Sequence, residues 1–159
     1  MKIIATLAFL FSIFQTSVFA QLSTSSSVGL SYIIPASNTG DHYDSGFGVI
    51  GTSNIQIIPL LGIAVTGSYN NLKSKEISID GSGNVMDGED MNIYGITAGP
   101  YVKLALFDIG VKGGYYFGDI SEWAVLPFVQ LILWKLTVGA EYKTTSDTKW
   151  YAIYLNYNF

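Results

Sequence analysis

Hydrophobic and polar residues alternate one by one over most of the chain. The pattern is clearest in the last ten residues, where every second position from 151 is apolar or aromatic and the positions between are small, polar or mixed. Successive side chains of a β-strand point to opposite faces, so this spacing predicts a strand with one apolar face. The same alternation predicts eight strands, in the segments 27–34, 46–58, 61–70, 91–104, 107–116, 124–133, 136–143 and 150–159.

The connections between these segments fall into two alternating classes. Three joints are tight and mostly apolar, at residues 59–60, 105–106 and 134–135. The others are longer and rich in Gly, Asp and Ser, at residues 35–45, 71–90, 118–122 and 144–148. Outer-membrane barrels have this order, with all long loops at one end and all short turns at the other. The sequence therefore predicts an all-β fold, an eight-stranded antiparallel up-and-down transmembrane β-barrel.

The composition indicates which solvent the apolar face meets. Hydrophobic residues make up 49% of the chain and charged residues 13%, which is about half of the ~25% typical of a soluble domain. If this chain were a soluble periplasmic barrel, with its apolar face turned inward onto an apolar ligand, its outer surface would carry far fewer charges than the surface of a typical soluble protein. We favour the opposite orientation, with the apolar face towards lipid, and keep the soluble barrel as an alternative.

The polar face of the predicted barrel carries five charged residues, Lys103, Asp108, Lys112, Glu141 and Lys143. In a lumen such charges are tolerated when they are paired, so we expect ion pairs between Lys112 and Glu141 and between Lys103 and Asp108. Glycines share this face, which suits a lumen just wide enough for side chains: Gly62, Gly95, Gly99, Gly110, Gly114 and Gly139. The lumen is therefore expected to be filled, without a wide aqueous path.

Aromatic residues cluster near both ends of the predicted strands. The band at the loop end contains Tyr32, Phe47, Tyr69, Tyr94, Tyr115 and Phe117. The band at the turn end contains Phe107, Trp134, Tyr157 and Phe159. Two such bands are typical of the aromatic girdles at the two interfaces of a membrane.

The first twenty residues have the pattern of a secretory signal peptide. Lys2 provides a positive start, an apolar run covers residues 3–13, and small or medium residues occupy the −3 and −1 positions before a cleavage site between Ala20 and Gln21. The alternative is an uncleaved anchor, but the apolar run is shorter than the ~20 residues of a spanning helix. We therefore expect an exported barrel domain at residues 21–159.

Charge and cysteine content exclude several classes of function. The eight basic residues are all lysine and the net charge is −4, without a basic stripe, so nucleic acid is not an expected partner. The chain contains no cysteine, which excludes disulfides, thiolate metal sites and thiol catalysis. No cofactor is expected.

The final strand, Tyr-Ala-Ile-Tyr-Leu-Asn-Tyr-Asn-Phe, resembles the C-terminal strand of bacterial outer-membrane β-barrel proteins. In that family the barrel-assembly machinery reads this strand with its terminal aromatic residue, so the resemblance implies the same role for Tyr157 and Phe159. The size and the loop order are similar to those of the OmpA/OmpX-type eight-stranded barrels. The resemblance implies a protein in the outer membrane of a Gram-negative bacterium, in contact with its lipid and lipopolysaccharide.

The loops offer two weak chemical hypotheses. His42 lies between two aspartates in the first long loop, and some barrels of this size modify lipid A with a loop or rim histidine, so a lipid A-modifying enzyme is one alternative. In the second loop, four acids are candidate cation ligands: Asp80, Asp87, Glu89 and Asp90. The segment resembles the opening of a calcium loop but has Val85 and Met91 where Gly and Glu belong. It is either a weak cation site that bridges to lipopolysaccharide phosphates or a plain solvated loop.

The leading hypothesis is therefore a monomeric outer-membrane barrel without catalytic activity. Its role would be to stabilise the envelope or to present its long loops for surface interaction.

Overall fold

The computed structural model describes residues 23–75, 77–79, 84–86 and 89–159, and the expected signal peptide lies outside them. The described elements are β1 (Ser23–Ala36), α1 (Asn38–His42), β2 (Tyr43–Ile58), β3 (Leu61–Ser74), β4 (Ile77–Ile79), β5 (Asn84–Met86), β6 (Met91–Leu104), β7 (Phe107–Gly118), β8 (Glu122–Leu133), β9 (Leu136–Thr144) and β10 (Lys149–Asn158). No helix in these ranges has the length and apolar character needed to cross a membrane.

Eight of the strands close into one barrel, in the order β1-β2-β3-β6-β7-β8-β9-β10 and back to β1. All neighbouring strands are antiparallel, including β1 and β10, which pair from Ser27–Asn158 to Ala36–Lys149. Because chain neighbours are also barrel neighbours, the topology is up-and-down. This confirms the predicted fold.

The short turns lie where the sequence predicts them. Two-residue turns at 59–60, 105–106 and 134–135 join successive strands at one end of the barrel, which we call the turn end. Ala105 and Trp134 adopt left-handed backbone conformations, with φ of 56° and 54°, and two-residue hairpins favour such conformations because they match the twist of the strands. The opposite end, which carries the longer connections, is the loop end.

The longer connections are more ordered than the sequence predicts. The segment 35–45, expected to be a loop, is strand as far as Ala36, then helix α1, and strand again from Tyr43. The helix is tied to its surroundings, because the Lys149 backbone N–H donates to Thr39 Oγ1 (3.0 Å) and the Lys75 N–H donates to the His42 carbonyl (3.0 Å). In the second loop, β4 and β5 pair as a small separate sheet.

The apolar faces of the strands point away from the barrel axis. In β10, Tyr151 and Ile153 are 52% and 50% exposed, whereas the alternate residues Trp150 and Ala152 are 1% and 4% exposed. The barrel strands β3, β6, β7, β8 and β9 have the same alternation of exposed and buried residues. The outer surface is therefore an apolar belt, and the buried residues fill the lumen.

The lumen core has two apolar parts. The larger part lies towards the loop end and contains Ile33, Leu72, Met91, Ile93, Tyr116, Ala124, Leu126, Trp150 and Ala152. The smaller part, Ala64, Tyr101 and Phe128, lies nearer the turn end. Buried polar and charged side chains occupy the same lumen.

Glycines in the lumen make room for aromatic rings on the neighbouring strand. A Cβ added at any of four of the predicted inner glycines would overlap the ring of its cross-strand partner, in the pairs Gly62–Tyr101, Gly95–Tyr116, Gly110–Phe128 and Gly139–Tyr154. An eight-stranded barrel has space for a large side chain only where its neighbour is small. Each of these glycines therefore leaves room for one particular aromatic ring from the neighbouring strand.

Gly139→Val and Gly113→Val form a matched test of this packing. A side chain at Gly139 would enter the Tyr154 ring, whereas a Cβ at Gly113 meets nothing within 4 Å. Overpacking typically costs ~1–3 kcal/mol, so we expect Gly139→Val to lower the free energy of unfolding by about that amount. Gly113→Val adds an apolar side chain on the outer face and should not lower it. Urea unfolding in lipid vesicles, followed by tryptophan fluorescence, measures both, and equal losses would contradict the role of the glycine–aromatic pairs.

Candidate functional site

The middle of the lumen is crossed by an ion pair between β7 and β9. Lys112 Nζ lies 2.6 Å from Glu141 Oε2, and the two side chains are 3% and 7% exposed. The ammonium also donates to Thr66 Oγ1 (3.4 Å) and lies 5.0 Å from the centroid of the Phe128 ring. Since β8 separates the two strands, the pair lies across the inner face of β8. It therefore lies inside the barrel, about midway between its two ends.

A second ion pair lies towards the loop end. Lys143 Nζ is 2.8 Å from Glu122 Oε1 and 2.8 Å from Thr148 Oγ1, and Thr148 in turn donates to the same carboxylate. The ammonium lies 3.6 Å from the Trp150 ring centroid and 4.4 Å from that of Tyr116, and these two rings pack edge to face. Lys143 is thus enclosed by aromatic rings and one carboxylate.

The sequence pattern predicts a loop at 118–122 and therefore does not identify Glu122 as the partner of Lys143. The structure begins β8 at Glu122. Extending the alternation of Ala124, Leu126 and Phe128 by one step towards the N-terminus places Glu122 on the inner face. The signal was therefore present in the spacing.

Near the turn end, Asp108 has a different partner from the one expected. It is the cross-strand neighbour of Lys103, but these two residues form no ion pair within 4.0 Å, in contrast to the three pairs found in the described residues. Gln130 Nε2 donates to Asp108 Oδ2 (3.0 Å), and Tyr154 OH donates to Gln130 Oε1 (3.2 Å). Lys103 is half-buried at the rim of the lumen. In place of the expected Lys103–Asp108 pair, the side-chain amide of Gln130 links Asp108 to Tyr154 by hydrogen bonds.

The loop candidates do not come together into a site. His42 ends α1 and is exposed, and within the described part of the chain its imidazole has no hydrogen-bond partner. Asp80 and Asp87 lie outside the described residues, and Glu89 is exposed. The described ranges contain no group of three His, Cys, Asp or Glu side chains able to hold a metal ion.

Asp90 is held by neighbouring residues of β3. It accepts hydrogen bonds from the Lys73 ammonium and from the Ser74 backbone N–H (3.2 Å). The Lys73 hydrogen bond, with a smaller effect from Ser74, lowers the pKa of the Asp90 carboxyl below its ordinary value. This carboxylate therefore fixes the start of β6 to the end of β3.

Outside the barrel, aromatic side chains form a girdle near the loop end. Ring centroids of cross-strand neighbours lie 4.7–5.6 Å apart in the pairs Tyr32–Phe47, Tyr69–Tyr94, Tyr94–Phe117, Tyr115–Trp123 and Tyr142–Tyr151. These distances are typical of stacked and edge-on aromatic pairs. Tyr142, Tyr151 and Trp123 extend the loop-end band that the sequence predicts.

At the turn end, Tyr157 and Phe159 lie on the outer surface, 49% and 71% exposed. The Phe159 backbone N–H donates to the Ser26 carbonyl (2.9 Å), and the Ser26 N–H donates to the Phe159 carbonyl (3.4 Å). The last residue thus closes the seam between β1 and β10, with its ring directed away from the lumen.

Solved structures with a similar fold include transmembrane barrels. The crystal structure of Ail, the attachment invasion locus protein of Yersinia pestis, shares 16% identity over 86% of this chain and 97% of its own, with a TM-score of 0.54. The backbone structure of Ail in a phospholipid bilayer nanodisc shares 16% identity over 86% of this chain and 100% of its own, with a TM-score of 0.57. A structure described as de novo design of transmembrane β-barrels shares 14% identity over 85% of this chain and 95% of its own, with a TM-score of 0.54.

No protein-family model matches the sequence, and no match was found among curated proteins. The structural similarity shows the fold, that of the small transmembrane β-barrels.

The Lys112–Glu141 pair can be tested by removing one charge and then both. An unpaired buried charge typically costs ~3–5 kcal/mol, whereas replacing both partners by apolar residues is often neutral. We therefore expect Lys112→Met to lower the free energy of unfolding in lipid vesicles by about that amount, and Lys112→Met/Glu141→Leu to recover most of the loss. Glu141→Leu alone is the second single variant, and a double variant that loses as much as the two single variants added together would contradict pairing.

Proposed function

We propose that this chain is an integral outer-membrane protein of a Gram-negative bacterium, with a lumen closed to solutes, that acts structurally or through its loops at the cell surface. The observation that carries the proposal is the direction in which the two faces of each strand point. Large apolar side chains cover the outside of the barrel, while the charged residues Lys112, Glu141 and Lys143 are buried inside. A soluble barrel needs the reverse arrangement, with its apolar face inward. This observation supports lipid as the surrounding solvent.

The proposal includes export and assembly. Residues 1–20 would be removed as a signal peptide, leaving a barrel that begins at Gln21. Tyr157 and Phe159 are proposed as the signal for the barrel-assembly machinery, which their exposed position on the last strand supports. The closed sheet supports a monomer, because the eight barrel strands have no unpaired edge.

The closed lumen is supported by what fills it. The Lys112–Glu141 pair occupies its middle, and the cluster around Trp150 and Tyr116 occupies its loop-end half. These side chains hold each other by ion pairs and ring contacts, and eight-stranded barrels of this width are filled by side chains. The surface role is thus assigned to the loops, where the outer leaflet and its lipopolysaccharide are the proposed surroundings. No catalysis is proposed for His42.

Two measurements on the same purified protein test the proposal. After membrane fractionation, the protein is expected in the outer membrane and should migrate differently on SDS gels before and after boiling, because closed barrels resist SDS at room temperature. In planar bilayers it should give negligible conductance, since the proposed lumen is filled by side chains.

A different result would contradict each part of the proposal. Recovery from the periplasmic extract, with one band that never shifts on boiling, would refute the membrane barrel. Steady channels of nanosiemens size from protein that does show the gel shift would refute the closed lumen alone.

A further inference from the structure

Charge is distributed unevenly along the barrel axis. In the sequence, ten of the twelve acidic residues fall within or directly beside the segments that connect strands at the loop end: Asp41, Asp44, Glu76, Asp80, Asp87, Glu89, Asp90, Asp119, Glu122 and Asp147. Within four residues of the three short turns, the charged residues are Lys103, Asp108 and Lys135. Asp108 is 1% exposed and hydrogen-bonded to Gln130. The turn end therefore presents two ammonium groups and, among the described residues, no exposed side-chain carboxylate.

The tips of the short turns are apolar. Leu60, Leu106 and Trp134 are 62%, 58% and 88% exposed, one in each turn. Turns that project into water are normally built from polar residues. Here each turn instead presents a large apolar side chain beyond the ends of its strands, and the apolar belt continues onto the turns without a polar border.

Lys135 is surrounded by the residues that anchor proteins at membrane interfaces. Its Nζ lies 5.3 Å from the Trp134 ring centroid and 6.0 Å from that of Tyr157. The flanking Leu133 and Leu136 are exposed on the belt. Tryptophan and tyrosine prefer the headgroup level of a bilayer, and lysine keeps its ammonium there while its stem lies on apolar surface. The ammonium of Lys135 is therefore held at the border of the belt.

We propose that the turn end is embedded in the headgroup region of the leaflet it meets, and that Lys103 and Lys135 bind the phosphates of anionic phospholipids there. The inference rests on the membrane-barrel function proposed above and adds a lipid preference confined to one end of the barrel. Two observations carry it. The turn tips are continuous with the belt, and Lys103 and Lys135, which form no ion pair within 4.0 Å in the described residues, are complementary in charge to anionic headgroups. The acidic loop end has the opposite charge and is expected to gain nothing from such lipids.

Varying the fraction of anionic lipid tests whether Lys103 and Lys135 bind anionic headgroups. The protein is folded in phosphatidylcholine vesicles with and without about a third of phosphatidylglycerol, and the folded fraction is followed against urea by the unboiled gel band. Anionic lipid is expected to raise the folding equilibrium constant about fivefold for each lysine at the interface. Lys103→Gln/Lys135→Gln should lose this gain. The matched loop-end variant Lys75→Gln/Lys149→Gln removes the same charge and should keep it.

Fluorescence quenching tests the depth of the turn tips. Two variants are compared: Trp123→Phe, which keeps Trp134 and the buried Trp150, and Trp123→Phe/Trp134→Phe, which keeps Trp150 alone. The difference between their emission spectra is the emission of Trp134. Trp134 is expected to be quenched by phospholipids brominated close to the headgroup and protected from aqueous iodide. If iodide quenched the Trp134 emission fully and the brominated lipids did not, the proposed embedding of the turn end in the headgroup region would be overturned.

The outcomes separate this inference from the proposed function. If no variant shows a gel shift in either vesicle, the membrane barrel itself fails and the inference fails with it. If the barrel folds but neither lysine pair alters the lipid dependence, or both pairs alter it equally, the barrel stands and the lipid preference of the turn end is overturned.

Discussion

Backbone hydrogen bonding in lipid is the constraint on which the rest of this structure depends. A bilayer offers no water to pair with exposed N–H and C=O groups, so a sheet that spans it has to close on itself. Closure here is made by β1 and β10, with the Phe159 backbone bonded to Ser26 at the end of the seam. Eight strands close into a barrel whose interior is just wide enough for side chains. The width of the lumen therefore follows from closure.

The narrow lumen explains the residues within it. Large rings fit because glycine is the cross-strand partner, as for Tyr154 over Gly139. Each buried charge has a nearby partner: Glu141 pairs with Lys112, Glu122 and two aromatic rings surround Lys143, and Gln130 donates a hydrogen bond to Asp108. The buried polar residues of the lumen thus pack the barrel interior, and the proposed closure of the lumen to solutes rests on the same side chains.

The sequence predicts most of the barrel because strand alternation and turn length are local properties. The two-residue turns at 59–60, 105–106 and 134–135 and the outward direction of Tyr151 and Ile153 follow from them directly. The helix α1 could not be predicted in this way, because five residues carry no periodicity and Thr39 is fixed by a contact with Lys149 far along the chain. Partner choice in the lumen is similar: Asp108 bonds to Gln130 on β8 while Lys103 remains at the rim. That choice depends on the barrel's stagger and width, which alternation does not encode.

The central claim is that the two faces of each strand meet different surroundings, and spin labelling measures this most directly. The chain contains no cysteine, so Ile153→Cys and Ala152→Cys each provide a single attachment point on the outer and inner face of β10. In folded protein in vesicles, the label at 153 should collide freely with oxygen, which dissolves in lipid, and should be shielded from an aqueous nickel chelate. The label at 152 should be shielded from both. A label at 153 that the nickel chelate reaches as readily as oxygen does would contradict an outer face in lipid.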